Sequence, residues 1–202
     1  MLGTNILSAI DWRKPGTSPG NATRSYEDGV VLMERGEYAA ALEHFKQAIR
    51  LDAHFVDAYL QIGGHYLEMG RLKDAIKYAT LAVKVSPTSA EALKLLGISY
   101  DRSGRFLDAL KTYMKALRFS PDDIELRNNL GQAYFNIGSY REAIKAFQQA
   151  LGLDPNDAMA HYWLGLVYLD LNDKKMASEE QLTLAELDVQ LADQLMDKIR
   201  GS

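Results

Sequence analysis

A glycine followed three residues later by a tyrosine recurs along this chain at a step of 34 residues, as Gly63/Tyr66, Gly97/Tyr100, Gly131/Tyr134 and Gly165/Tyr168. Gly29 begins the series with Leu32 in the tyrosine's place. Twelve residues beyond each glycine stands Ala41, Ala75, Ala109, Ala143 or Ala177, and Ala48, Ala82, Ala116 and Ala150 keep the same step. Three stretches close on Pro87, Pro121 and Pro155 in one register, where the first has Ala53 and the fifth Val189. A period of this length demands a row of like units, each burying its face on the next, rather than one globular core.

The residues inside a unit specify what the unit is. Within 124–157, Leu130, Gly131 and Tyr134 share a stripe of one predicted helix, and Ala143, Ile144, Phe147, Ala150 and Leu151 share a stripe of a second. Small residues let the two backbones approach, while Tyr134 and Phe147 fill the space between turns. Gly36, Gly70, Gly104 and Gly138 fall where a left-handed cap ends the first helix. The prolines are expected to open the next helix, with Asp154, Asn156, Asp157 and Ser120, Asp122, Asp123 supplying capping oxygens and first-turn charge.

This pattern resembles the tetratricopeptide repeat, a 34-residue pair of antiparallel helices. The resemblance covers Ala22 to Leu191 as five ungapped units: 22–55, 56–89, 90–123, 124–157 and 158–191. It implies an all-α, right-handed superhelical solenoid. The fifth unit departs from the pattern, with Asn172 for the inter-helix glycine, Gln181 where Phe45, Tyr113 and Phe147 stand, and Leu184 for the second alanine. Residues 188–200 read as a closing helix, because Leu191, Leu195 and Ile199 lie four apart.

Several functions are set aside on composition and motif. The net charge of −4 shows no clustered basic face, so nucleic acid is not the expected partner. The longest apolar runs are a few residues, far short of the roughly 20 that cross a bilayer. There is no cysteine, hence no disulfide or thiolate chemistry. His44, His54, His65 and His161 are scattered, without metal-ligand spacing, and no phosphate loop, dinucleotide fingerprint or nucleophile elbow is present. Acidic neighbours such as Glu179 and Glu180 point apart on a helix and read as solvated surface. The chain reads as a non-enzyme without cofactor or metal, an adaptor or assembly scaffold. A self-assembling structural scaffold and an accessory subunit of an enzyme complex stand as alternatives.

The family resemblance implies that positions two, five, six, nine, twelve and thirteen of each unit face a ligand on the concave side. Position five reads Tyr26, Leu60, Lys94, Asn128, Tyr162; position nine Val30, Gly64, Ile98, Gln132, Leu166; position twelve Met33, Leu67, Asp101, Phe135, Leu169. Most are apolar, and the stacking stripe does not require them. One reading is a greasy groove. The other is packing against neighbouring first helices in a tightly curved solenoid. Asp57, Glu91, Glu125, Glu34, Glu68 and Asp170 give the strip an acidic rim, opposed by Arg102 and Lys94, which favours a partner with Lys or Arg beside apolar anchors. The carboxylate clamp for acidic chaperone tails is not expected: Lys94 and Asn129 fit it, but Ile98, Met159 and Trp163 do not. Asn128, Asn129, Gln132 and Asn136 form an amide patch suited to a peptide backbone.

Ahead of the repeats, residues 1–21 read as an amphipathic segment and a Pro/Gly linker. The segment lacks the basic start and continuous apolar core of a secretory signal, so a cytoplasmic location is favoured. Leu2, Ile6, Ile10 and Trp12 carry the spacing of a helix-in-groove ligand, which makes them a candidate tethered ligand and a route to homo-oligomers. A frayed tail or an N-terminal cap is the plainer reading of the same residues.

Overall fold

A computed structural model describes residues 19–201, and among these every regular element is an α-helix. The chain divides into two compact units, one ending at Pro87 and one beginning at Thr88. The first holds α1 (Pro19–Glu34), α2 (Tyr38–Leu51), α3 (Val56–Glu68) and α4 (Leu72–Val85). The second holds α5 (Ala90–Arg102), α6 (Phe106–Ala116), α7 (Ile124–Asn136), α8 (Tyr140–Leu151), α9 (Ala158–Asp170), α10 (Lys174–Leu187) and α11 (Val189–Gly201). Helices pack in consecutive pairs, α1 on α2, α3 on α4 and so on, while α11 lies on α9 and α10.

At three of the recurring glycines, Gly29, Gly97 and Gly131, an aromatic ring of the paired helix presses on the bare backbone. A Cβ on Gly97 would fall 2.6 Å from Cδ1 of Tyr113, and one on Gly131 would fall 2.6 Å from Cε1 of Phe147. Both rings are buried, so neither has anywhere to go. In the fifth pair the aromatic is replaced by Gln181, and the space over Gly165 is filled instead by Leu195 of α11, whose Cδ1 would lie 3.0 Å from an added Cβ and whose Cδ2 would lie closer still. The closing helix thus completes the last pair's core.

Each first helix ends in a left-handed residue, with φ of +76° at Gly36, +70° at Gly70, +77° at Gly104 and +74° at Gly138. Asn172 takes that role in the fifth pair at φ +60°, a conformation asparagine adopts more readily than other side chains. At Gly104 the chain closes the helix with Gly104 N–H to Asp101 carbonyl and Arg105 N–H to Tyr100 carbonyl, both 2.9 Å.

Two boundaries differ from the expected ones. Pro87, Pro121 and Pro155 do not open helices; each stands in a turn two residues ahead of the capping residue, Ser89, Asp123 or Asp157. Those side chains accept from Ala92 N–H (3.1 Å), Leu126 N–H (2.9 Å) and Met159 N–H (3.0 Å). Proline's fixed φ suits the turn, and the oxygen two or three residues before the bonded amide defines the helix start. The linker expected to run through Asn21 ends sooner, because Pro19, Gly20 and Asn21 lie in the first turn of α1, where a proline lacks no needed N–H.

The outer faces of the two terminal helices carry polar residues at most of the positions where inner helices are apolar, although Val31 of α1, in the register of buried Val167, is exposed. Arg24 and Asp28 on α1 occupy the register of Ala92 and Leu96 or Ala160 and Leu164, and both are exposed. On α11, Ala192 and Leu195 are buried while Asp193, Gln194, Asp197 and Lys198 lie on the more accessible side.

Candidate peptide-binding face

Positions five and twelve of α5 and α7 tie each of these helices to the next first helix. In the second unit the Lys94 ammonium lies 2.6 Å from Glu125 and 3.4 Å from Asp123, both belonging to the α7 start. Burial works against the lysine's charge, but the hydrogen bond to Glu125 and the two carboxylates outweigh it and hold Lys94 above its ordinary range. Asn128 on α7 donates through Nδ2 to Asp157, the cap of α9. Asp101 accepts from Asn136 Nδ2 at 3.4 Å; burial pushes its carboxyl up and that bond only partly offsets it. Phe135 meets Trp163 edge-on, with ring centroids 5.6 Å apart.

The first unit uses aromatic contacts for the same purpose. Tyr26 lies 5.1 Å from Phe55, the residue before α3, and its hydroxyl accepts from Gln61 Nε2 at 3.4 Å. Leu67 is buried, 7% exposed. Of the other residues nominated from sequence, Arg102, Asn136 and the acidic rim are exposed and the rest are half-buried. Tyr162, Leu166 and Leu169 pack against the cluster of Leu184, Ala192 and Leu195, so α11 engages the fifth pair's share of the expected strip. Met33 and Leu60 are half-buried in the first unit, as is Val30.

What remains open in the second unit is a different stripe of the same helices: positions two, six, nine and thirteen. On α5 it reads Glu91, Leu95, Ile98, Arg102; on α7, Glu125, Asn129, Gln132, Asn136; on α9, Met159, Trp163 and Asp170, Leu166 at position nine being taken up by the α11 cluster. The outer members are exposed and the inner ones half-buried, giving shallow apolar and amide ground between charged edges. Leu95, Trp163 and Met159 do not stand out from sequence when positions two and six are weighed only against a carboxylate clamp. The three-residue spacing from position six to position nine is the signal that places them on one face.

Two amides on α7 are left short of partners. With Asn128 Nδ2 turned to Asp157, its Oδ1 is shut from solvent without a hydrogen bond, and Nδ2 of Asn129 is in the same state. One is an acceptor and the other a donor. Among the described residues no group of three metal-ligating side chains comes together, and no helix is long and apolar enough to cross a membrane. The candidate ligand residues Leu2, Ile6, Ile10 and Trp12 lie outside the described residues.

The chain resembles known proteins along most of this length. A family model described as TPR repeat matches residues 102–138 and 132–172, and two described as Tetratricopeptide repeat match residues 32–98 and 158–188. Among solved structures, a MamA from Desulfovibrio magneticus RS-1 superposes with a TM-score of 0.77 at 23% identity, covering 84% of this chain and 96% of that one. YrrB, described as a TPR protein with an unusual peptide-binding site, superposes at 0.72 with 23% identity over 87% of this chain and 92% of its own. A thermophilic TPR protein in Thermus thermophilus gives 0.70 at 21% identity, covering 88% and 98%. At these identities the likeness is one of fold. No curated protein matches the chain.

Proposed function

Because the chain belongs to the tetratricopeptide-repeat family, we propose that it is a non-enzymatic protein-interaction module whose second unit holds a peptide segment on the open stripe of α5, α7 and α9. The observation that carries this reading is the unsatisfied pair on α7, Asn128 Oδ1 and Asn129 Nδ2. A buried polar atom without a partner costs about 1–3 kcal/mol, and a water or a ligand group that reaches it recovers that cost. A peptide group offers one N–H and one C=O, which matches one acceptor and one donor after small rotations of half-exposed side chains. Leu95, Ile98 and Trp163 supply apolar ground on either side. Glu91, Glu125 and Asp170 at the edges favour Lys or Arg in the segment, chiefly through encounter rate and register. The peptide-binding site named in YrrB's description is consistent with such a use of this fold.

The test is selection of the full chain against a displayed random-peptide library. Enriched peptides should pair an apolar anchor with Lys or Arg, and Asn129→Ala should weaken their binding about tenfold or more, as losing a hydrogen bond to a buried group does. The melting temperature should stay near that of the parent chain. Peptides that bind the Asn129→Ala chain as well as the parent would show that the stripe is not the site.

A further inference from the structure

The first unit carries a helix glycine that packing does not need. A Cβ on Gly64 would meet nothing within 4 Å, whereas one on Gly29, on the stacking side of α1, would fall 2.7 Å from Phe45. Glycine inside a helix costs about 0.5–1 kcal/mol relative to alanine. At Gly97 and Gly131 the close helix approach explains that cost; at Gly64 nothing in the folded unit does. The position is nine of its repeat, where the chain elsewhere has Val30, Ile98, Gln132 or Leu166. The result is a patch of bare α3 backbone, half-exposed, at the middle of the unit's open stripe.

Along this stripe of α1 and α3 the charged side chains have one sign. Glu34 on α1 and Asp57 and Glu68 on α3 occupy edge positions, Glu27 takes position six of α1, and all four are exposed. Among the described residues none of the four enters an ion pair; the carboxylates that do are elsewhere, as with Asp74 and Arg71. An open backbone patch with acidic edges fits a bulky apolar side chain next to basic ones.

We propose that the occupant is the chain's own segment Ile10–Lys14, with Trp12 seated over Gly64 and Arg13 and Lys14 against the acidic edges. Two observations select this segment. It places an indole directly before two cations. The reach is also sufficient. From Pro19 to the level of Val30, the register mate of Gly64, α1 climbs about 16 Å at 1.5 Å per residue, and neighbouring helix axes lie about 8–10 Å apart. The separation to bridge is therefore about 18 Å, and the seven residues from Trp12 to Pro19 span up to about 24 Å when extended. The contact closes within one molecule. It concerns the first unit alone and stands or falls apart from the α5–α7–α9 face.

The absence of cysteine makes the test clean. In the full chain, Asp11→Cys is paired with Gln61→Cys, one turn from Gly64, or with Thr80→Cys, exposed on α4. Under mild oxidation the first pair should form an intramolecular disulfide at least about tenfold faster than the second, reflecting a raised effective concentration. Gly64→Leu, which fills the patch, and high salt should each bring the two rates together. Equal rates for the two pairs would overturn the proposal, and so would cross-links that join two molecules. A second measurement needs no cysteine: the Gly64 amide resonance should shift on Trp12→Ala through loss of the indole ring current. A resonance that stays in place would refute the seating, whatever the cross-links show.

Discussion

In the second unit α5, α7 and α9 start from Ser89, Asp123 and Asp157, whose side chains accept from their own first turns, and the last two also meet the preceding first helix through Lys94 and Asn128. In the first unit α3 starts after Phe55 with no side-chain cap, and its link to α1 is an aromatic contact and one long hydrogen bond. The glycine-to-aromatic core is common to both. The difference teaches that the repeat's helix pair and its stitching to the next pair are separate problems. The first is solved by the residues that recur, the second by the few loop residues that vary. A carboxylate that caps one helix and ties another does two jobs from one turn, and the stretch Asp52 to Phe55 has no equivalent.

The comparison can be strained at its strongest point first. Gly97→Ala should cost about 1–3 kcal/mol as overpacking against the buried Tyr113, while Gly64→Ala should gain a little. Thermal or urea unfolding of the two variants gives opposite signs if the glycines differ as described, and equal signs if they do not. Asp157→Ala comes next, because it removes both the α9 cap and the partner of Asn128; a loss of about 1–2 kcal/mol is expected from the cap. The corresponding change at the uncapped start of α3, Phe55→Leu, should be smaller and should quench no cap-dependent protection in hydrogen exchange. Lys94→Met should lose about 1 kcal/mol, the scale of a partly exposed ion pair. Since the folded chain raises this lysine, its contribution is complete below the ordinary lysine range and fades as pH climbs through the raised value, so the variant and parent should converge only in strongly alkaline solution. The smallest effect is Gly64→Ala itself, a gain of about 0.5–1 kcal/mol in helix propensity read from the melting temperature.

The period makes the helix pairs legible, since a residue that recurs every 34 positions must serve the contact that recurs. Gly97 against Tyr113 and the left-handed Gly104 can both be placed from sequence. The closing helix is legible from Leu191, Leu195 and Ile199, but the substitution of Leu195 for a missing aromatic over Gly165 is not, because Gln181 gives no sign of which distant residue fills its space. The use of positions five and twelve is also out of reach. Lys94, Asn128 and Asp101 share no residue type with Tyr26 or Phe135, and periodicity says that a position recurs without saying which neighbour it faces. The unsatisfied amides of Asn128 and Asn129 are visible only once Asp157 has fixed the rotation of the first.

The ties between first helices have a consequence for how the chain folds. Lys94 to Glu125, Asn128 to Asp157, Asp101 to Asn136 and Gln61 to Tyr26 join residues 29 to 35 apart in sequence. Closing a loop of that size is entropically mild, and none of these ties has to wait for the two ends of the chain to meet. Such a protein should fold quickly for its length and should open one pair at a time rather than all at once. Amide protons of α3, which lacks a side-chain cap, should then exchange sooner than those of α7, and a protease given brief access should cut first around residues 52 to 55.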